Sequence, residues 1–243
     1  MESAGRQPSR PGEASQLPAG APRELAPGLW AWSRRHPEWH PGEFGAEVVA
    51  FMAEAPGATL MIDPLLEGGD DPVWGLIAET AGPIRILVTL PYHARSSEEI
   101  RDRFGGEREV SIHGHPATAG RLRSQRGFEP FSPGDELPAG VTAHPVGKPR
   151  RHETPLHLPS HRAVVFGDAV VGAPMGPRMW ALEPIDDRVS RFYAERFAPT
   201  LEPLLELDFD RLLLTHGPSL LEGGRDGLRK AIESPPWYRG PED

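Results

Sequence analysis

The chain has 243 residues, 38% of them apolar and 25% charged, enough for one large domain or two small ones and for a real core. It contains no cysteine, which excludes disulfides and thiolate metal sites and points to nitrogen and oxygen ligands for any metal. A formal net charge of −9 disfavours a nucleic-acid partner, and no apolar run approaches the length of a membrane span.

No apolar stretch of signal-peptide type follows Met1, so a cytoplasmic location is expected. Residues 1–26 are rich in Pro, Gly, Ala, Ser and Arg and bury too little surface to offset their ordering entropy. They are expected to form a disordered tail, followed by a single domain over 27–243. Order should begin near Leu29-Trp30-Ala31-Trp32. AEVVAFMA (46–53) reads as a strand, and after the Pro56-Gly57 turn ATLMI (58–62) reads as its hairpin partner, ending at Asp63-Pro64. A short helix is predicted over 71–80, capped by Asp70 or Asp71, with Pro72 in its first turn. The strand ILVT (86–89) then leads to a helix from Ser97 to Phe104, whose start carries the capping-box pair Ser96 and Glu99. Between them lies the loop LPYHAR (90–95), a polar stretch where a strand feeds a helix and where chains often place chemistry.

In the second half, Val110-Ser111-Ile112 and residues 141–146 read as strands. Residues 153–158 and 162–166 read as a hairpin turning at Pro159-Ser160, its second strand ending at Gly167-Asp168. Residues 188–207 have helical spacing broken by Pro199 and Pro203. A strand over 211–215 ends at His216-Gly217-Pro218, and a last helix covers 227–233. Hairpins followed by strand–helix units in both halves predict an α/β four-layer αββα sandwich, with two mixed sheets and helices outside. Asp63, the 89–95 loop, Asp168 and His216 all stand at strand ends, where ligands gather in such sheets.

The order IDPLL (62–66), ILVT with its histidine-containing loop (86–95), FGD (166–168) and LLLTHG (212–217) resembles the metallo-β-lactamase fold superfamily over roughly residues 28–235. That resemblance implies an αββα sandwich and the zinc- or iron-dependent hydrolase chemistry of the superfamily. The hallmark His-x-His-x-Asp-His departs here, because Leu90, Tyr92, Ala94 and Arg95 stand at its four ligand positions. What carries over is Asp168 as the metal-bridging carboxylate, His216 as the last histidine and His152 as the histidine before the hairpin. His93 in the loop is a fourth candidate. Two histidines and one carboxylate make an accepted zinc set, so the resemblance implies one Zn or Fe ion, or none if the site is vestigial.

Asp63, Tyr92 and Arg95 are expected to line the pocket. The function implied is a metallo-β-lactamase-like hydrolase with a reduced metal site, acting on an ester, thioester, amide or phosphoester of a small molecule. The alternative is a metal-free descendant that binds a small molecule or serves as a scaffold. Neither nucleic acid nor membrane is expected as a partner. Asp168 as a turn cap and His216 as a hydrogen-bonded loop residue are structural alternatives. His36 and His40 read as N-terminal loop contacts, His113 and His115 as loop packing, and His144, His157 and His161 as hairpin-face residues. GKPRR (147–151) reads as a solvated loop.

Overall fold

The computed structural model of the protein describes residues 20–39 and 45–239. Seven strands form one sheet in chain order: β1 (Arg23–Ala26), β2 (Leu29–Arg35), β3 (Glu47–Ala55), β4 (Ala58–Ile62), β5 (Ile84–Val88), β6 (Val110–Gly114) and β7 (Phe128–Pro130). Pairing is antiparallel from β1 to β4 and parallel from β4 to β7. The parallel half needs three crossovers, which run through the helices α1 (Val73–Glu79) and α2 (Ser97–Phe104) and, between β6 and β7, a 3-10 turn over Pro116–Arg121. A second sheet takes β8 (Thr142–Ala143), β9 (Leu156–Leu158), β10 (Ala163–Phe166) and β13 (Arg211–Leu214), in the order β13-β10-β9-β8. A separate hairpin joins β11 (Val170–Ala173) to β12 (Gly176–Met179). Helices α3 (Asp187–Phe192), α4 (Ala198–Leu201) and α5 (Gly224–Glu233) complete the order, with a π-helical turn over Tyr193–Phe197 and a 3-10 turn over Glu202–Glu206.

The apolar run of β3 is continuous because both of its faces are buried. Phe51 and Ala53 point with Leu60 and Leu87 at Leu156 and Val165 of the second sheet. Ala50 and Met52 point the other way, with Met61 and Ile86, against Ile77 of α1 and Ile100 and Phe104 of α2. On the far side, Val164, Phe166, Leu212 and Leu214 pack against Phe197, Leu201 and Leu228. Helix, sheet, sheet, helix is the four-layer αββα sandwich that the strand–helix pattern predicts. Among the described residues no helix is long and apolar enough to cross a membrane.

Several local expectations need correction. The tail expected over 1–26 loses its last four residues to β1, where backbone pairing with β2 outweighs the polar composition; residues 1–19 lie outside the described residues. The capping box at Ser96 is absent, because the Ser96 hydroxyl accepts from Leu66 N–H at 3.0 Å instead. The strand expected over 141–146 shortens to Thr142–Ala143. Asp71, by contrast, does serve α1: its Oδ1 accepts from Val73 N–H at 3.0 Å. The same carboxylate receives a two-pronged contact from Arg34, Nε to Oδ2 at 2.8 Å and Nη2 to Oδ1 at 2.6 Å, both side chains buried.

Candidate metal centre

Each sheet contributes one parallel strand pair whose carboxyl ends meet at a common rim. In the first, Ile62 of β4 lies beside Leu87 of β5, and in the second, Phe166 of β10 lies beside Leu214 of β13. The residues just beyond these ends are Asp63, the loop from Thr89, Asp168 and His216. The two sheets are tied at this level by Thr154 N–H donating to Thr89 O at 2.7 Å and Val49 N–H to Thr215 O at 2.8 Å. The Thr215 hydroxyl donates to Gly167 O. Two glycines allow the approach. A Cβ on Gly167 would stand 2.6 Å from Thr89 Oγ1, and one on Gly217, whose φ is +72°, would collide with the Gly172 carbonyl.

His93 sits in a 3-10 turn over Pro91–Ala94, buried at the rim. Its Nδ1 faces Asp63 Oδ2 at 2.8 Å, and Asp63 in turn accepts from Thr89 N–H at 2.8 Å and Thr89 Oγ1 at 2.5 Å. That buttress leaves Nε2 for the pocket, 3.4 Å from Asp168 Oδ1. His216 Nε2 approaches the same oxygen at 3.2 Å. Asp168 Oδ1 is buried and has no aligned hydrogen bond, although two imidazole nitrogens stand this close. Ligands at about 2.0–2.2 Å from a tetrahedral ion lie about 3.3–3.6 Å apart, close to the spacing seen around this oxygen. Among the described residues, His93, Asp168 and His216 form the one group of three histidines and acids able to share an ion, their ligand atoms all within 4.8 Å of one another. The donor set therefore fits a single zinc or iron ion.

The charges of the site act on one another. Burial pushes Asp168 up, yet His216, His93 and the Arg150 guanidinium outweigh it and hold the carboxyl well below its usual range. Burial and Arg95 push His93 down, but Asp63 and Asp168 raise it above its ordinary value. For His216 burial wins over Asp168, and its value is lowered.

His152 does not join the group. It is exposed, and its ring stacks on His115 with centroids 4.7 Å apart. The residue that turns inward is its neighbour Glu153, whose Oε1 accepts from Gly167 N–H at 3.0 Å while Oε2 is buried without a partner. Burial and the charge of Asp168 push Glu153 up to about 7. The two side chains separate at a turn over 150–153, closed by Glu153 N–H donating to Arg150 O at 2.7 Å, which sends His152 outward and Glu153 inward.

Arg150 corrects the reading of GKPRR as a solvated loop. Its side chain is only 10% exposed, its Nη1 donates to Asp168 Oδ2 at 3.2 Å, and it stacks on Trp180 at 4.7 Å. A sequence signal for both residues exists: charged residues immediately precede the apolar run TPLHL. Asp63 lies beneath His93, fully buried, not on the pocket wall. Tyr92 and Arg95 do face the cavity, which has a volume of about 700 Å³ and is also lined by His36, Trp39 and Trp180. Tyr92 is exposed at its mouth under the Arg121 guanidinium, 3.7 Å from the ring centroid.

The other histidines have structural partners: His113 with Ser111, His144 with Thr142, His157 with Asp208 O and His161 with Glu54 O. His40 lies outside the described residues.

No family model and no curated protein matches the sequence. Solved structures do match by shape. The flavodiiron core of Flv1 from Synechocystis sp. PCC6803 superposes with a TM-score of 0.58 at 14% identity, over 89% of this chain and 61% of that one. This chain thus spans about three fifths of that core. A beta-lactamase domain protein from Burkholderia ambifaria gives 0.57 at 15% identity, covering 91% of this chain and 78% of its own. FIM-1 from Pseudomonas aeruginosa, in its mono-zinc form, gives 0.53 at 14% identity over 91% and 100%. The sheet order, the helix layers and these superpositions together make this a chain of the metallo-β-lactamase fold.

Proposed function

We propose that the protein is a metal-dependent hydrolase with a single-ion site held by His93, Asp168 and His216, acting on an ester, thioester, amide or phosphoester of a small molecule. The observation that carries this reading is the convergence of two imidazole nitrogens on one buried carboxylate oxygen, at 3.4 and 3.2 Å. A bound zinc or iron ion supplies Lewis acidity there. Asp63 fixes the ring of His93 through Nδ1 and keeps Nε2 turned to the cavity. Glu153, pushed up to about 7, is poised to take or give a proton at its unpartnered Oε2. The cavity of about 700 Å³ suits a small molecule. On this reading the working unit is a single cytoplasmic domain, with no nucleic acid or membrane as partner.

Metal analysis of protein purified without chelator, paired with melting curves, tests the proposal. The expected result is close to one Zn or Fe per chain, a higher melting temperature on metal addition, and loss of both in Asp168→Asn. Well under one equivalent, with no thermal response to added metal, overturns it. One observation favours the metal-free alternative: the Arg150 guanidinium already pairs with Asp168 at 3.2 Å. In that case the protein binds a small molecule at the same rim without an ion.

A further inference from the structure

The cavity differs in charge from the molecule around it. In a chain of net charge −9, five described arginines (Arg95, Arg121, Arg150, Arg151 and Arg239) face it against three carboxylates. Two of the arginines stand out, since both lie within electrostatic reach of Asp168. Arg150 gives one N–H to Asp168, but its Nε and Nη2 are buried with no acceptor. Its plane is fixed by Trp180, so those donors cannot swing freely to solvent. Arg95 donates Nη1 to the Asp63 carbonyl at 3.2 Å, and its Nε is likewise buried without an acceptor. Its backbone is held at φ +35°, a conformation that non-glycine residues keep only where the surroundings force it.

Leaving charged donors buried and unsatisfied is costly, and a guanidinium fork is shaped to take two oxygens of a planar or tetrahedral oxyanion. A wall of excess positive charge also draws anions into the cavity. We infer that the site takes a small molecule carrying an oxyanion, a carboxylate or a phosphate monoester, gripped by Arg95 and Arg150 with the rest of the molecule in the cavity. This names the substrate class of the proposed hydrolase and rests on that reading for the place of the reacting centre. Oxyanion binding itself is measurable without turnover.

The test is calorimetric titration of the full chain with phenyl phosphate, benzoate and neutral benzamide, before and after EDTA treatment. Arg95→Gln and Arg150→Gln are titrated alongside, each checked for folding by circular dichroism. One of the two anionic probes should bind at least about tenfold more tightly than benzamide, and which one does separates phosphate from carboxylate. Each folded variant should lose about tenfold or more of that affinity, with and without EDTA. Benzamide binding as well as the anions, or anion binding unchanged in a folded variant, overturns the inference. So does affinity that EDTA abolishes and neither substitution alters, because the oxyanion then sits on the ion. Should a variant fail to fold, the charged-against-neutral comparison in the unaltered protein decides. Arginine-dependent binding in protein that holds no metal leaves this inference standing and ends the hydrolase reading alone.

Discussion

Two buried arginine–aspartate pairs in this molecule are built in contrasting ways. Arg34 meets Asp71 through two aligned contacts of 2.8 and 2.6 Å and spends Nη1 on the carbonyls of Gly20 and Ser33. Asp71 uses its remaining capacity on Glu67 and Val73 N–H groups. Every polar atom has a task, and the pair anchors the start of α1 to β2. Arg150 meets Asp168 through a single contact of 3.2 Å and keeps two buried nitrogens without acceptors, while Asp168 Oδ1 stands without an aligned hydrogen bond. A satisfied network rigidifies a fold, whereas an incomplete one at a cavity wall is where a ligand can complete it.

The largest expected consequence of that contrast is in stability. Arg34→Met leaves Asp71 buried and uncompensated, and denaturant unfolding should show a loss of about 3–5 kcal/mol. Arg150→Gln should cost less than about 2 kcal/mol in the same measurement, since it removes one weak contact together with two unsatisfied donors. Equal losses in the two variants would erase the distinction between the pairs.

Acid sharpens it further. Burial pushes Asp71 up, but Arg34 and the two backbone donors win and its carboxyl is lowered in the folded protein. Its contribution is therefore complete above the unfolded value of about 3.9 and fades as pH falls through the lower folded value. Melting curves below about pH 4 should show the unaltered protein losing stability more steeply than Arg34→Met. A parallel decline would mean that the pair is not the source. The smallest effect is expected for His152→Ala, whose ring stacks on His115 and lies outside the His93–Asp168–His216 group; on the single-ion reading metal content should be unchanged. A loss of metal in that variant would move the site toward the hairpin.

Much of the fold was legible because periodicity and turn residues report on local structure. The hairpin of β3 and β4, the strand before the 90–95 loop and the proline-broken helical stretch after Arg188 all follow from patterns a few residues long. The short pairings β1, β8 and β11–β12 were less legible, since their backbone partners outweigh what their side chains prefer. At the site, Asp168 and His216 stood out as polar residues ending apolar strands. His93 was visible as a candidate, but its role depends on Asp63, thirty positions away in the chain. Arg150 reads as part of a solvated loop and Glu153 draws no notice, because neither residue type nor spacing says which way a side chain leaves the turn over 150–153.

The sequence by itself therefore determined the longer strands and helices, the absence of thiolate ligands and the polar identity of the strand ends, all of which depend on local order. Only the tertiary structure decided that His93 joins Asp168 and His216, that Glu153 turns inward while His152 stays apart from that group, and that two guanidiniums stand beside them. Those outcomes depend on register and on the face each side chain takes, and a shift of one residue reverses that face. The meeting of two parallel strand pairs from different sheets sets them, and no stretch of chain contains both.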